Sequence, residues 1–440
     1  MKILWVKPGK LLPLNTGGRL RSYHLLRQLS RSHEVTYLSF YDEPRDEAYE
    51  RGIERRFPGA ILLPALPRDP AGFHRLLEYV RRLPQSAPYA VSRFTSPLIP
   101  KLISDWMSQR RFDVAVCDFL ASAPNFPPHL TIPTVLFQHN VESVLWKRRA
   151  QVTLKWTDRI VAQIECFKMT HYEAYQVQRF HHVLAVSEPD RRIMMQMTDA
   201  SRISVVPTGV DLAEHQYDPA LRPVAPLVVF TGSMDWEPNI DAMEYFCREI
   251  WPQVLKNAPE AMFRIVGRNP HSRVKKLASA SVEVTGSVES VIEHLREAAV
   301  LVVPLRIGGG TRIKIYEGMA MGKATVSTSV GAEGLDVHDG RDILLADDPQ
   351  QFAQHIVMLL RSESVRREYE VAAAAAVRKY DWSIIAEQLA DELRKVVSFG
   401  LVPNAVGGQV IASRNSECTD MNALAGPARN KNPRAKWRSP

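Results

Sequence analysis

The sequence predicts an α/β protein of two doubly wound domains. A strand, a glycine turn, a helix and a further strand follow one another twice, over Lys2–Phe40 and over Leu227–Gly267. Between these halves, residues 212–226 hold three prolines and no periodicity, which reads as a linker. The 440 residues are 45% hydrophobic, enough for two ordinary cores.

In the first half, Lys2–Val6 reads as a strand running into a loop with Gly17 and Gly18. Leu25, Leu26 and Leu29 then recur at helical spacing before a strand over Glu34–Phe40. A loop in this position sits at the carboxyl edge of the sheet, where ligands bind. Its paired glycines let backbone approach a phosphate or sugar closely, or simply make a tight turn. Arg45–Arg111, rich in arginine and proline, reads as helices and loops on the rim, either a solvated face or one turned towards an anion. FDVAVC at 112–117 and TVLF at 134–137 are further strands. The second ends at His139, whose imidazole can hydrogen-bond a sugar hydroxyl or face developing charge, and Glu142 either serves the site or caps the next helix. Residues 144–180 form a long amphipathic helical region in which Trp146 and Trp156 accompany Lys147, Arg148 and Arg149. Tryptophans packed inwards is the favoured reading there, docking on a bilayer the alternative. HVLAVS at 182–187 and the stretch Ile203–Asp211 complete the first domain. Gly209 in that stretch is a candidate for close backbone approach to a ligand, through the resemblance described below.

In the second half, Leu227–Ser233 is a strand entering a turn at Gly232 and Ser233, and Phe263–Gly267 is another, followed by Arg268. Val282–Thr285 ends at Gly286. The most informative stretch is VVPLRIGGGTRIKIYEGMAMGKATVSTSV at 302–330: a buried strand, three glycines, a helix opening at Thr311 and closing at Gly322, and a strand over Ala324–Thr328. Free amides and the helix dipole at such an N-terminus favour phosphate, so Gly309, Gly310, Thr311 and Ile313 are donor-binding candidates. Thr311 suits the N-cap. Lys314 and Glu317 share one helix face. A cation near a phosphate and a carboxylate for two adjacent hydroxyls is what a nucleoside diphosphate needs; a glycine turn with a surface Lys–Glu pair is the bland alternative. Helices over 349–361 and 365–379 precede a last one from Tyr380 to about Val397.

This stretch resembles the retaining glycosyltransferases of family 4, the group 1 glycosyl transferases, which have the GT-B fold. They carry two glutamates eight positions apart, the second in a stretch like Glu317-Gly318-Met319-Ala320-Met321-Gly322-Lys323-Ala324-Thr325-Val326. The first would fall at Gly309 and is absent; in the family it holds the donor sugar. Some members have a Gly-Gly-Gly-Thr-Arg-x-Lys variant instead, matched at Gly308–Lys314. VVPTGVD at 205–211 resembles the family's end of the N-terminal domain, with Thr208 where asparagine is usual. Family members often have a histidine where His139 stands. Many grip the donor diphosphate with an arginine and a lysine in the loop that here carries Ser233 and Pro238-Asn239. The resemblance leaves Arg312 and Lys314 as the candidate grip, both reaching one phosphate only if Arg312 is outside the helix. It implies His139, Glu317, Lys314 and Arg312 as catalytic residues, Gly232, Ser233, Arg268 and Gly286 as donor-binding, with Gly286-Ser287-Val288 near the nucleotide base, and no metal or other cofactor. It also implies a domain order of 1–211 for the acceptor, 212–226 as linker, 227–380 for the nucleotide-sugar donor and 381–398 returning to the first domain. Transfer to a glycan or lipid-linked acceptor in surface-polysaccharide synthesis follows as the expected activity. The competing expectations are an epimerase or phosphorylase of the same fold, and a non-catalytic GT-B scaffold.

Composition excludes several classes. Of the net charge of +8, residues 401–440 supply six basic and two acidic side chains, or +4, so the body is too weakly basic for nucleic acid. That last stretch reads as a disordered basic tail, from about residue 399. The four cysteines are far apart and suggest reduced thiols without a zinc site. MKILWVKPGK is broken too soon by Pro8 for a signal peptide, and no apolar run approaches a membrane span. The expected location is cytoplasmic, with peripheral attachment to the inner membrane face as a further expectation.

Overall fold

The computed structural model describes residues 1–67, 72–152, 155–223, 226–307 and 312–400. The calls on Gly309, Gly310, Thr311 and the tail from 401 onwards lie outside the described residues. Strands β1 (Lys2–Pro8), β2 (Glu34–Asp42), β3 (Ile61–Leu66), β4 (Val114–Asp118), β5 (Thr134–Phe137), β6 (His182–Ala185) and β7 (Ile203–Val205) form one sheet. Its order is β3-β2-β1-β4-β5-β6-β7 and every pairing is parallel. Strands β8 (Leu227–Thr231), β9 (Met262–Val266), β10 (Val282–Gly286), β11 (Val300–Val303), β12 (Ala324–Ser327) and β13 (Leu344–Leu345) form the second, in the order β10-β9-β8-β11-β12-β13, again parallel. The central strands are apolar runs buried on both faces, as sheets covered by helices on both sides require. In each sheet the strand order reverses beside the first strand, at β1/β4 and β8/β11, and ligand crevices form at such points.

The helices that position the site are α1 (Gly17–Leu29), α2 (Phe73–Arg82), α3 (Glu142–Val152), α4 (Trp156–Arg179), α5 (Glu237–Tyr245), α6 (Ile313–Ala320) and α7 (Trp382–Phe399). Leu25, Leu26 and Leu29 of α1 are buried as their spacing predicts. The rim expected to hold only helices and loops contains β3, which Pro64 disguises; an edge strand tolerates a missing N–H. The region 144–180 is two helices, α3 and α4. Glu173 of α4, and not Glu142, caps α3: its carboxylate accepts from the amides of Glu142 at 2.8 Å and Ser143 at 3.0 Å.

Helix α7 buries Trp382, Ile385, Leu389 and Leu393, and packs on α1, β4 and β5. The chain therefore crosses between the sheets twice, and the crossings are bonded to each other. The Val210 amide donates to the Tyr380 carbonyl at 2.9 Å, and the Trp382 amide donates to the Val210 carbonyl at 3.2 Å. The junction itself requires glycine at 209: a Cβ there would lie 2.6 Å from the Trp382 ring and 2.9 Å from the Tyr380 carbonyl.

Candidate active site

A cleft of about 780 Å³ opens between the carboxyl ends of the two sheets. The first domain lines it with Gly17, Gly18, Arg21 and His139, the second with Gly232, Ser233, Arg268, Ile313, Lys314 and Glu317. Of the sequence candidates with described positions, Gly209, Gly286 and Glu142 are absent from its lining; Gly286 ends β10 with φ of +74°, and Ser287 and Val288, expected together with it, do line the cleft. Ile313 approaches Gly17 across the cleft, 3.4 Å from where a side chain would begin.

Lys314 rises from the first turn of α6 into the space left by Gly232. Its Nζ lies 4.1 Å from the centre of the Phe230 ring and donates to Asn239 Oδ1 at 3.5 Å. Burial, with Arg312 adding to it and Glu317 opposing, brings its ammonium pKa down to about 7. Arg268 comes from the end of β9, donating from Nε to Ser233 Oγ at 3.0 Å and from its guanidinium to the Asn15 carbonyl of the first domain at 3.3 Å. The two loop positions where many family members have Arg and Lys are thus neutral here, and each anchors a cation arriving from another element.

Arg312 stands at the N-cap of α6 with φ of −92° and ψ of 85°, outside the helix, which is the condition for sharing a phosphate with Lys314. Its guanidinium also lies 5.9 Å from the centre of the Trp236 ring, and burial lowers its pKa to about 10 although Glu333 opposes this. Glu333 makes a two-pronged ion pair with Arg148 of α3, at 2.8 and 2.7 Å, linking the two domains. Glu317 lines the cleft one turn after Lys314. Burial raises its pKa, while His215 and Lys314 pull it down. His215 and Glu214 belong to the linker, which therefore forms part of the cleft wall.

His139 is buried at the cleft floor with both ring nitrogens engaged. Arg21 donates to Nδ1 at 3.0 Å, and Nε2 lies 2.6 Å from Asp118 Oδ1. A guanidinium has no acceptor, so Nδ1 carries the lone pair and Nε2–H points at the carboxylate. Asp118 also accepts from Ser22 Oγ at 2.6 Å and Trp5 Nε1 at 3.0 Å, and pairs with Lys7 at 3.5 Å. The Phe119 ring stacks on the imidazole at 3.7 Å and holds a backbone φ of +70°, a conformation costly for any residue but glycine. Burial lowers the His139 pKa to about 4 although Asp118 opposes it. With both nitrogens occupied, the expected hydrogen bond from His139 to a sugar hydroxyl has no free ring nitrogen in this arrangement. We expect nitrogen-15 spectra to show the Nε2–H tautomer of His139 unchanged from about pH 5.5 to 8; a midpoint near 6.5 would contradict the buried network.

Sequence reasoning missed Arg21, Asp118 and the linker pair. Two signals pointed to the first two: Arg21 is three residues past Gly18 on one helix face, and Asp118 is the last residue of β4, at the carboxyl edge. Nothing marked Glu214 and His215, because a segment without periodicity gives no direction to its side chains. Among the described residues no group of three or more His, Cys, Asp or Glu side chains gathers as a metal site.

Two family models match the chain: Glycosyltransferase Family 4 over residues 16–214 and Glycosyl transferases group 1 over residues 225–362. A phosphatidyl-myo-inositol mannosyltransferase of Mycobacterium leprae is 29% identical over 233 residues, 49% of this chain and 60% of that protein, so the chain spans less than two thirds of it. An uncharacterized 44.6 kDa protein in the cps region of Klebsiella pneumoniae is 22% identical over 86% of this chain and 96% of its own length. Among solved structures, Anabaena Alr3699/HepE in complex with UDP superposes with a TM-score of 0.62 at 14% identity, covering 90% of this chain and 100% of that one.

Proposed function

We propose, for a chain that belongs to the family 4, group 1 glycosyltransferases and has their GT-B fold, that it moves a sugar from a nucleoside-diphosphate donor to a glycan or lipid-linked acceptor with retention. The observation that carries this reading is the convergence of Arg268, Lys314 and Glu317 on one cleft closed from the other side by Gly17 and Gly18, which open α1 instead of lying in the loop expected before it. In it, Lys314 and Arg268 hold the diphosphate, with Arg312 behind them balanced by Glu333. Charge developing on the leaving phosphate is stabilised by donors that need no rearrangement. Glu317 orients the ribose through its two hydroxyls, a positioning role. His139, neutral and with both nitrogens engaged, holds Arg21 in place rather than abstracting a proton. This fits transfer in which the departing phosphate takes the acceptor's proton, so no separate general base is required. A role in cell-surface polysaccharide synthesis draws support from the likeness to the protein of the cps region, and needs neither a metal nor another cofactor in this reading. No helix among the described residues is long and apolar enough to cross a membrane.

A thermal-shift screen of the purified chain against UDP, GDP, ADP and their sugar conjugates tests the proposal. A ligand at 100 times its dissociation constant adds about 2.7 kcal/mol. One nucleotide is expected to stand out and so identify the base; no shift with any of them would favour a non-catalytic GT-B scaffold.

A further inference from the structure

Two helices of the first domain turn their apolar sides away from the protein. On α4, the packing face is Ala162, Glu165, Met169, Glu173, Gln176 and Val177. The opposite face carries Trp156, Ile160 and Phe167, which fall within about 40° of one another at 100° per residue and are 73%, 45% and 67% exposed. On α2, Tyr79 faces inwards against Tyr89, while Leu76, Leu77 and Val80 are 52–55% exposed. The helices are neighbours: Lys168 of α4 donates to the Leu83 carbonyl just after α2 at 2.9 Å, and Glu165 accepts from the amides of Tyr89 and Ala90. The inward packing expected for Trp156 is thus reversed, and single scattered apolar residues do not describe the pattern.

The surroundings of these stripes are basic. Residues 72–93 contain Arg75, Arg81, Arg82 and Arg93 against one acid, Glu78, which is paired with Arg82, a balance of four minus one, or +3. On α4, Lys155 and Arg159 flank Trp156 with Asp158 between them. Exposed tryptophan, phenylalanine and leucine inside a cationic rim match the two layers of an anionic bilayer surface, apolar acyl chains below and negative headgroups above. A second copy of the chain would set the same cationic rims against each other, a repulsive arrangement.

We infer that the α2–α4 face is a docking surface for an anionic membrane, on which the first domain lies with Leu76, Leu77, Val80, Trp156 and Phe167 inserted at the headgroup boundary. The inference does not depend on the transfer reaction. Sedimentation of the full chain with phosphatidylcholine vesicles, alone or mixed with phosphatidylglycerol, tests it. Binding to the mixed vesicles, weakened by salt, is expected, with little to phosphatidylcholine alone. The surface variants Leu77→Glu/Val80→Glu and Trp156→Ser/Phe167→Ser should each weaken partition about tenfold or more, since each removes two apolar side chains from the boundary. All four positions are exposed, so the melting temperature and the nucleotide-induced shift should be unchanged, which separates this result from any failure of the transfer reading. Equal binding of wild type and variants, or no binding to the anionic vesicles, would overturn the inference. So would concentration-dependent dimers abolished by the same variants, which would make the face an interface between copies.

Discussion

Lys314→Ala is expected to weaken binding of the cognate nucleoside diphosphate by about 1–3 kcal/mol, the value of one charge-assisted hydrogen bond. The effect should depend on pH with a definite sign. The free protein's ammonium, held near 7 by burial, is charged below that pH and neutral above it. A bound diphosphate favours the charged form and raises the pKa, so binding above 7 takes up a proton. Affinity is therefore full below pH 7, and falls about tenfold per unit through pH 8–9 until the pKa of the complex is reached. The terminal phosphate, with a pKa of about 6, is already ionised over that range and does not mask the slope. Lys314→Arg should bind with a flat profile. Geometry adds a rescue: Asn239 Oδ1 lies 3.5 Å from Nζ, so Asn239→Lys in the Lys314→Ala background restores an ammonium to the same space. Calorimetric titration at several pH values measures all three. Unchanged affinity in Lys314→Ala, or a flat wild-type profile, would remove Lys314 from the diphosphate grip.

Gly267→Ala should cost about 3 kcal/mol of stability or more, whereas Gly232→Ala, one strand away, should cost little stability and most of the nucleotide affinity. A Cβ at 267 would lie 1.6 Å from the Gly232 carbonyl oxygen, and that backbone is fixed because the Gly232 amide donates to the Val266 carbonyl at 3.0 Å. Only separation of β8 from β9 relieves the clash. A Cβ at 232 would instead meet the side-chain ends of Asn239 and Lys314, both at 2.8 Å. Those are side-chain ends and not backbone, so they can give way at the loss of the bond from Asn239 Nδ2 to the Ser233 carbonyl, but the ammonium then leaves the position from which it is proposed to meet phosphate. Denaturant unfolding and nucleotide titration of both variants separate the two effects. Equal stability losses would show that the loop is held as rigidly as the strand.

Much of this arrangement could be read in the chain itself, for identifiable reasons. Strands buried on both faces are continuous apolar runs, so TVLF at 134–137 and the run Val300–Leu305, of which 300–303 is β11, stood out, and the helix at 349–361 coincides with its predicted span. β3 was hidden because ILLPAL carries a proline and only one buried residue. At the site, the Lys314–Glu317 face followed from helical spacing alone. The bond of Arg268 to Ser233 was not legible, since it joins residues 35 apart whose approach only sheet pairing creates. The commitment of both His139 nitrogens was likewise illegible, because Arg21 and Asp118 reach it from distant parts of the chain. Trp156 shows the converse: a tryptophan on an amphipathic helix is a core residue by default, and only the neighbours that fill the opposite face reveal otherwise.

The return of α7 has a consequence for how the molecule is made. The surface of α1, with β4 and β5 beside it, is covered by a helix that is translated only after the whole second domain. During synthesis the first domain therefore waits, with part of its apolar surface bare, while the 170 residues of the linker and second domain (212–381) emerge. Its final stitch is the pairing of Val210 with Asp381, residues 171 positions apart. The half of the protein that begins first is completed last.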